Sequence, residues 1–197
     1  ELLARITAAE AGPAVPLGRE APPRYTRIAV TGRLDHAREA LLGLEVRGTT
    51  LGAYILTPLM PAQGGPPLLV LRGWVPLERS QPIARPEGEV TVTGYVRPGE
   101  VRGGLAATDD AAGRRFYTFD PPVIAAALGL SGVEPFGLVL LAAPDAPANA
   151  LPVAARAIPR PTNSHLGYAI TWYGLAAALV GVFAAYARRV LKETPPP

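Results

Sequence analysis

Cysteine is missing from all 197 residues, which excludes disulfides, thiolate metal sites, iron–sulfur clusters and cysteine nucleophiles together. Histidine occurs twice, at His36 and His165, so any metal chemistry falls to these two imidazoles and the carboxylates. Lysine is almost absent: of 19 basic residues only Lys192 is not an arginine. Together with abundant Ala, Gly and Pro, this looks like the codon bias of a GC-rich genome and favours a bacterial source. The arginines are scattered among acids along the whole chain, with no basic stripe and no interleaved aromatics. The net charge of +3 therefore does not point to nucleic acid. No phosphate-binding glycine loop, calcium loop or catalytic triad can be traced.

Proline and glycine, by contrast, are plentiful, at 23 and 21 residues, and argue against long helices over most of the chain. Glu1 to Glu10 reads as the end of a helix that began upstream, so an upstream segment is expected to be missing from this sequence. Ala11 to Pro23, with four prolines, reads as a linker, and residues 1–23 together form an entry segment. From Arg24 to Pro161 the pattern is one of short apolar or alternating runs between turn residues. They are Tyr25 to Thr31, Ala40 to Val46, Tyr54 to Leu59, Leu68 to Val75, Val90 to Val96, Phe116 to Phe119 and Gly137 to Leu141. Such runs predict a mainly β domain, an antiparallel barrel or sandwich. Val30-Thr31-Gly32-Arg33 and Val92-Thr93-Gly94-Tyr95 echo each other, and both read as strands ending in a glycine turn. Pro121 to Leu130 is the one short helical stretch inside the domain, with proline at its start and Gly129 near its end. Pro144 to Pro161 then leads toward the last segment.

Leu166 to Ala187 is 22 residues without a formal charge. At 1.5 Å per residue it spans roughly 33 Å, enough for a hydrocarbon core of about 30 Å, and it predicts a C-terminal transmembrane α-helix in contact with membrane lipid. Residues 162–187 thus form a cap and a membrane helix. Arg188, Arg189 and Lys192 lie in the tail 188–197, so the positive-inside rule places the C-terminus in the cytoplasm and the β domain in the periplasm of a bacterial inner membrane. Gly167, Thr171, Gly174, Ala178 and Gly181 fall on one narrow stripe of small residues, along which another transmembrane helix can approach. The opposite face carries His165, Tyr168 and Trp172. Two readings of this face stand side by side. Tyr168, Trp172 and Tyr173 suit the aromatic belt of a membrane interface, and His165 after Thr162-Asn163-Ser164 suits a helix cap. Alternatively His165 is a neutral nitrogen donor for a metal at the membrane surface, with large rings beside it.

Elsewhere, Asp35, His36, Arg38 and Glu39 form a polar cluster read as a turn with surface ion pairs, since acid–base catalysis needs a nucleophile or a metal near it. Trp74 reads as core packing on a central strand. Asp109 and Asp110 beside Gly113 read as a turn.

Asn163-Ser164-His165-Leu166-Gly167-Tyr168-Ala169-Ile170-Thr171-Trp172-Tyr173-Gly174-Leu175-Ala176 resembles the second transmembrane helix signature of the surfeit locus protein 1 family. Gly32-Arg33-Leu34-Asp35-His36 with Glu39, Tyr54 to Pro58 and Arg72-Gly73-Trp74-Val75-Pro76 resemble the same family in its own order. Two positions depart: Asn163-Ser164 stands where the family often has two asparagines, and no tryptophan stands near Phe116 or Tyr117. The resemblance implies two transmembrane helices flanking a domain outside the cytoplasm. It also implies an assembly factor, not an enzyme, whose partner is the catalytic subunit of a haem-copper terminal oxidase. The cofactor implied is haem a, held transiently with His165 as axial ligand and Tyr168 and Trp172 beside it. A stably bound accessory or scaffold subunit with no direct haem contact is the alternative.

Overall fold

The computed structural model describes residues 2–18, 21–78, 81–104, 107–147, 150–160 and 165–193. Helix α1 covers Leu2–Ala11 and strand β1 Val15–Pro16. They are followed by β2 (Arg27–Leu34), a 3-10 turn (His36–Arg38), β3 (Ala40–Arg47), β4 (Thr50–Pro61), β5 (Leu68–Pro76) and β6 (Glu89–Pro98). The chain continues with β7 (Arg115–Phe116), α2 (Pro121–Ala127), β8 (Phe136–Leu140) and α3 (His165–Glu193). Residues up to Ile158 form one compact unit, and those from Pro159 a second.

The first unit is a closed five-stranded barrel. Its ring runs β2, β6, β8, β5, β4 and back to β2, with β1 beside β2 and with β3 and β7 extending beyond β4. Every ring pair is antiparallel except β5 with β8, where Leu69 faces Gly137 and Leu71 faces Val139. A parallel pair needs a long crossover, and here β6, β7 and α2 all lie between the two strands. Of the two architectures expected, the barrel is therefore the one formed. Closure depends on the length of β4: its first part pairs with β3, and its last residues swing to β2, with Leu59 opposite Leu34 and Pro61 opposite Gly32.

Two large apolar clusters follow from the period-2 alternation of the strands, beside a small third one of Ile55, Val75 and Ile83. Ile28, Val30, Leu59, Leu68, Val70, Val92 and Leu138 fill the barrel. Leu69, Leu71, Leu56 and Val139 point the other way, to Phe116, Phe119, Ile124 and Leu128. Strand β5 is thus buried on both faces, which is why Leu68-Leu69-Val70-Leu71 reads as an unbroken apolar run. Ile6 of α1 is fully buried in the outer cluster and β1 pairs in parallel with β2, so the segment before Pro23 is packed and paired as well as linking. Helix α2 starts at Pro121 with Asp120 as its cap and stops before Gly129, whose φ of +69° supplies the left-handed turn.

The two echoing glycines do not end their strands. Gly32 lies inside β2 and Gly94 inside β6. A Cβ on Gly32 would come within 2.2 Å of the Met60 carbonyl oxygen, and one on Gly94 within 2.2 Å of that of Val139. Both glycines stand where a neighbouring strand's backbone crosses closely, a use of glycine that competes with the turn reading. Gly94→Ala is accordingly expected to destabilise the barrel by about 2–3 kcal/mol, because backbone cannot rotate away from the added methyl. Gly104→Ala, where a Cβ meets nothing within 4 Å, serves as the control. Chemical denaturation of both variants measures the difference.

The second unit is α3, a helix of 29 residues. Leu166–Val190 within it is 25 residues long and apolar enough to cross a membrane. The helix continues past Ala187, so Arg188 and Arg189 sit in its last turns and not in a separate tail. Cations at that end suit the partial negative charge of a helix C-terminus.

Candidate functional site

On α3 the rings are bare: Tyr168 is 65% and Trp172 70% exposed, and Tyr173 is exposed as well. His165 is the first helical residue, three before Tyr168 and seven before Trp172, which puts all three positions on one face at 100° per residue. The His165 side chain and the cap motif Thr162-Asn163-Ser164 lie outside the described residues. The small-residue stripe is open, since a Cβ on Gly167, Gly174 or Gly181 would meet nothing within 4 Å. Thr171 fits this stripe because its hydroxyl donates to the Gly167 carbonyl at 3.0 Å, so no polar hydrogen-bonding group there is left unmade. Among the described residues no cluster of three His, Asp or Glu side chains could hold a metal ion.

In the barrel, three of the motifs quoted above converge. The chain leaves β2 at Leu34, and Asp35 caps the 3-10 turn by accepting from the Ala37 amide at 3.1 Å. That turn aims His36 and Glu39 at Arg72 of β5. Arg72 is only 3% exposed, a charge almost wholly removed from water. Its Nη1 donates to Glu39 Oε1 at 2.9 Å, and its Nη2 donates to the Ala84 carbonyl. Arg85 holds the other carboxylate oxygen through Nε and Nη2, at 3.0 and 2.8 Å. His36 bridges the Glu39 carboxylate, 3.0 Å from Nδ1, and the Pro86 carbonyl, 2.9 Å from Nε2. Burial alone would raise the Glu39 carboxyl. Hydrogen bonds from Arg85 and His36, with the charges of Arg85 and Arg72, outweigh it and hold the group below its ordinary range.

The expectation of a turn with surface ion pairs is thus met for Asp35 and Arg38, whose contact at 2.8 Å lies at the surface, and corrected for Glu39. Glu39 anchors a buried network. Arg72 is the residue skipped where the pairing of β5 with β4 shifts, Leu71 facing Leu56 and Gly73 facing Ile55, so a bulge and not simple alternation re-aims its side chain.

Trp74 is buried, as read, and its indole Nε1 donates to the Glu45 carbonyl at 3.1 Å. Arg47 lies over its ring at 5.1 Å, and the Tyr54 hydroxyl donates to Glu45 at 2.5 Å. Gly52 is required here, because a Cβ on it would fall 2.3 Å from the indole. The segment after β8 also joins the sheet. Val153 and Trp74 exchange backbone hydrogen bonds of 2.8 and 3.0 Å, and Ile158 is buried in the outer cluster.

Comparison with known proteins places these features in one lineage. The human Surfeit locus protein 1 (Homo sapiens) is 30% identical over 173 residues, covering 78% of this chain and 56% of its own length. A SURF1-like protein of Drosophila melanogaster is 31% identical over 191 residues, covering 87% of this chain and 61% of its own length. The chain thus spans little more than half the length of these curated relatives. Residues 1–177, from α1 through the first part of α3, match the SURF1 family over its barrel and helix motifs alike, and the chain belongs to that family.

Proposed function

We propose that this protein is a membrane-bound assembly factor for a haem-copper terminal oxidase and assists haem insertion into the catalytic subunit without catalysing a reaction of its own. Family membership supports the reading. The observation that carries it is the face of α3 on which His165 begins the helix and Tyr168 and Trp172 present uncovered rings. These residues fit a haem. His165 would hold it as a neutral imidazole ligand, and the rings would give its porphyrin apolar contact. The group itself supplies the iron centre that the oxidase needs. A neutral imidazole would hold such a group reversibly, which suits transfer to a partner.

The positive end of α3 further supports a cytoplasmic C-terminus and a periplasmic barrel in a bacterial inner membrane. The open stripe from Gly167 to Gly181 favours close packing with a second transmembrane helix. That same stripe suits the scaffold reading, in which the protein stays attached to the oxidase through helix contacts alone.

The test is deletion of the gene followed by purification of the oxidase. We expect an oxidase short of haem a relative to its copper content, restored by the wild-type chain. An oxidase with full haem a content but reduced abundance would leave the scaffold reading in its place.

A further inference from the structure

A cavity of about 550 Å³ runs from Arg27 at the start of β2 past the first half of β6 to the ends of β2, β5 and β8, roofed by described residues that follow β8. It lies within the size range of pockets for small organic ligands. Its walls are apolar, with Leu34, Val92 and Leu140 from the strands and Leu151 and Val153 from the roof. Among the described residues the charged side chains lining it are all arginines, Arg27, Arg72 and Arg156, with no acid. Arg72 is committed to Glu39 and the Ala84 carbonyl. Arg27 and Arg156 make no ion pair with any described residue. Arg27 Nε is moreover buried without a hydrogen-bond partner. A second recess of about 340 Å³ adjoins the first, since Arg27, Leu141, Ala142, Pro144 and Arg156 line both, and Glu10 borders only this second one.

A buried guanidinium nitrogen with no acceptor is rare in a folded protein and asks for one. Two arginines at the junction match the planar, bidentate geometry of a carboxylate or phosphate. An anion alone would leave most of the apolar wall unused. We propose that this cavity binds an amphiphilic anion, its carboxylate or phosphate head on Arg27 and Arg156 and its apolar chain along Leu34, Val92, Leu140 and Leu151. The source is either a free long-chain acid or the headgroup of an anionic lipid, which offer the same chemistry. Arg156 stands nine residues before His165, the start of the apolar helix, in keeping with a ligand drawn from a membrane.

The experiment uses the full chain in nanodiscs of zwitterionic phosphatidylcholine, titrated at pH 8 with dodecanoate carrying a 13C carboxyl and followed by NMR. Dodecanoate is expected to bind, and dodecanol to bind at least about tenfold more weakly. Arg27→Gln should weaken dodecanoate about ten- to hundredfold without lowering the melting temperature, because it removes an unpaired buried donor. Ala146→Trp, which fills the cavity from its roof, should block binding without touching a barrel strand. Adding phosphatidylglycerol to the nanodiscs identifies the source. Displacement of dodecanoate from the wild-type chain by phosphatidylglycerol assigns the site to a lipid headgroup, and no displacement assigns it to a free acid. His165→Asn should bind dodecanoate normally, which separates this site from any haem role. Equal affinity of wild type and Arg27→Gln, or of dodecanoate and dodecanol, overturns the proposal.

Discussion

Glu39→Ala is expected to lower the stability of the barrel by about 3–5 kcal/mol, the cost of stranding one charge of a buried pair. For a chain of this size that is a fall in melting temperature of roughly 6–20 °C. The residue left behind decides the magnitude. Without Glu39, Arg72 stays almost fully buried with only the Ala84 carbonyl and, at 3.4 Å, the neutral His36 Nδ1 beside it, while Arg85 is exposed enough to turn to water. The double variant Glu39→Ala with Arg72→Met should recover most of the loss, since the buried charge of the pair is then removed from both sides. A double variant no better than the single would mean that the Arg72 bond to Ala84, and not the stranded charge, supports this end.

The pH dependence has a definite sign. The folded carboxyl of Glu39 lies below its ordinary value of 4.5, so its contribution is complete above that pH and disappears as pH falls through the folded value. The gap in stability between wild type and Glu39→Ala should therefore be constant from neutral pH down to about 5 and shrink at lower pH. Urea denaturation at neutral pH and near pH 3 measures it.

How much of this was legible beforehand differs by element. Strands β2 to β6 and β8 were foreseen to within a few residues, because alternation and turn residues are local signals. Their order in the ring was not, since the β5–β8 and β2–β4 pairings join residues far apart in sequence. Gly32 and Gly94 were misread for a related reason. Thr-Gly looks the same at a turn and at a strand crossing, and only the Met60 and Val139 carbonyls distinguish the two. Residues 141–158 carry little β-forming character, yet their backbone bonds to Trp74 and Leu140 stitch them to the sheet. The buried position of Arg72 could not be read by counting along β5 from Leu68, because the pairing with β4 shifts at Arg72. Nor could its partners, because Glu39 and Ala84 come from separate segments of the chain.

His165→Ala is expected to abolish haem binding while leaving the barrel folded, if His165 is the axial ligand. The three apolar clusters of the first unit draw no described residue from α3, so its melting temperature reports folding independently of the haem spectrum. Trp172→Ala should weaken haem by about three- to tenfold without abolishing it, since a ring supplies contact area and not an iron bond. With Trp172 70% exposed, its removal takes no packing from the helix, and a loss of haem cannot then be blamed on a damaged fold. The aromatic-belt reading predicts no spectral change from either substitution. His165→Asn separates the ligand from the cap most sharply. Asparagine satisfies the free amides of a helix start as well as any residue, yet offers iron no imidazole. Under the cap reading the variant is silent. Under the ligand reading the purified protein, co-produced with the haem a synthesis enzymes, loses its haem absorption, and the oxidase assembled in the same cells is short of haem a. Normal spectra and a fully haemylated oxidase from His165→Asn would remove the ligand role and leave α3 as an anchor that joins its partners through the small-residue stripe.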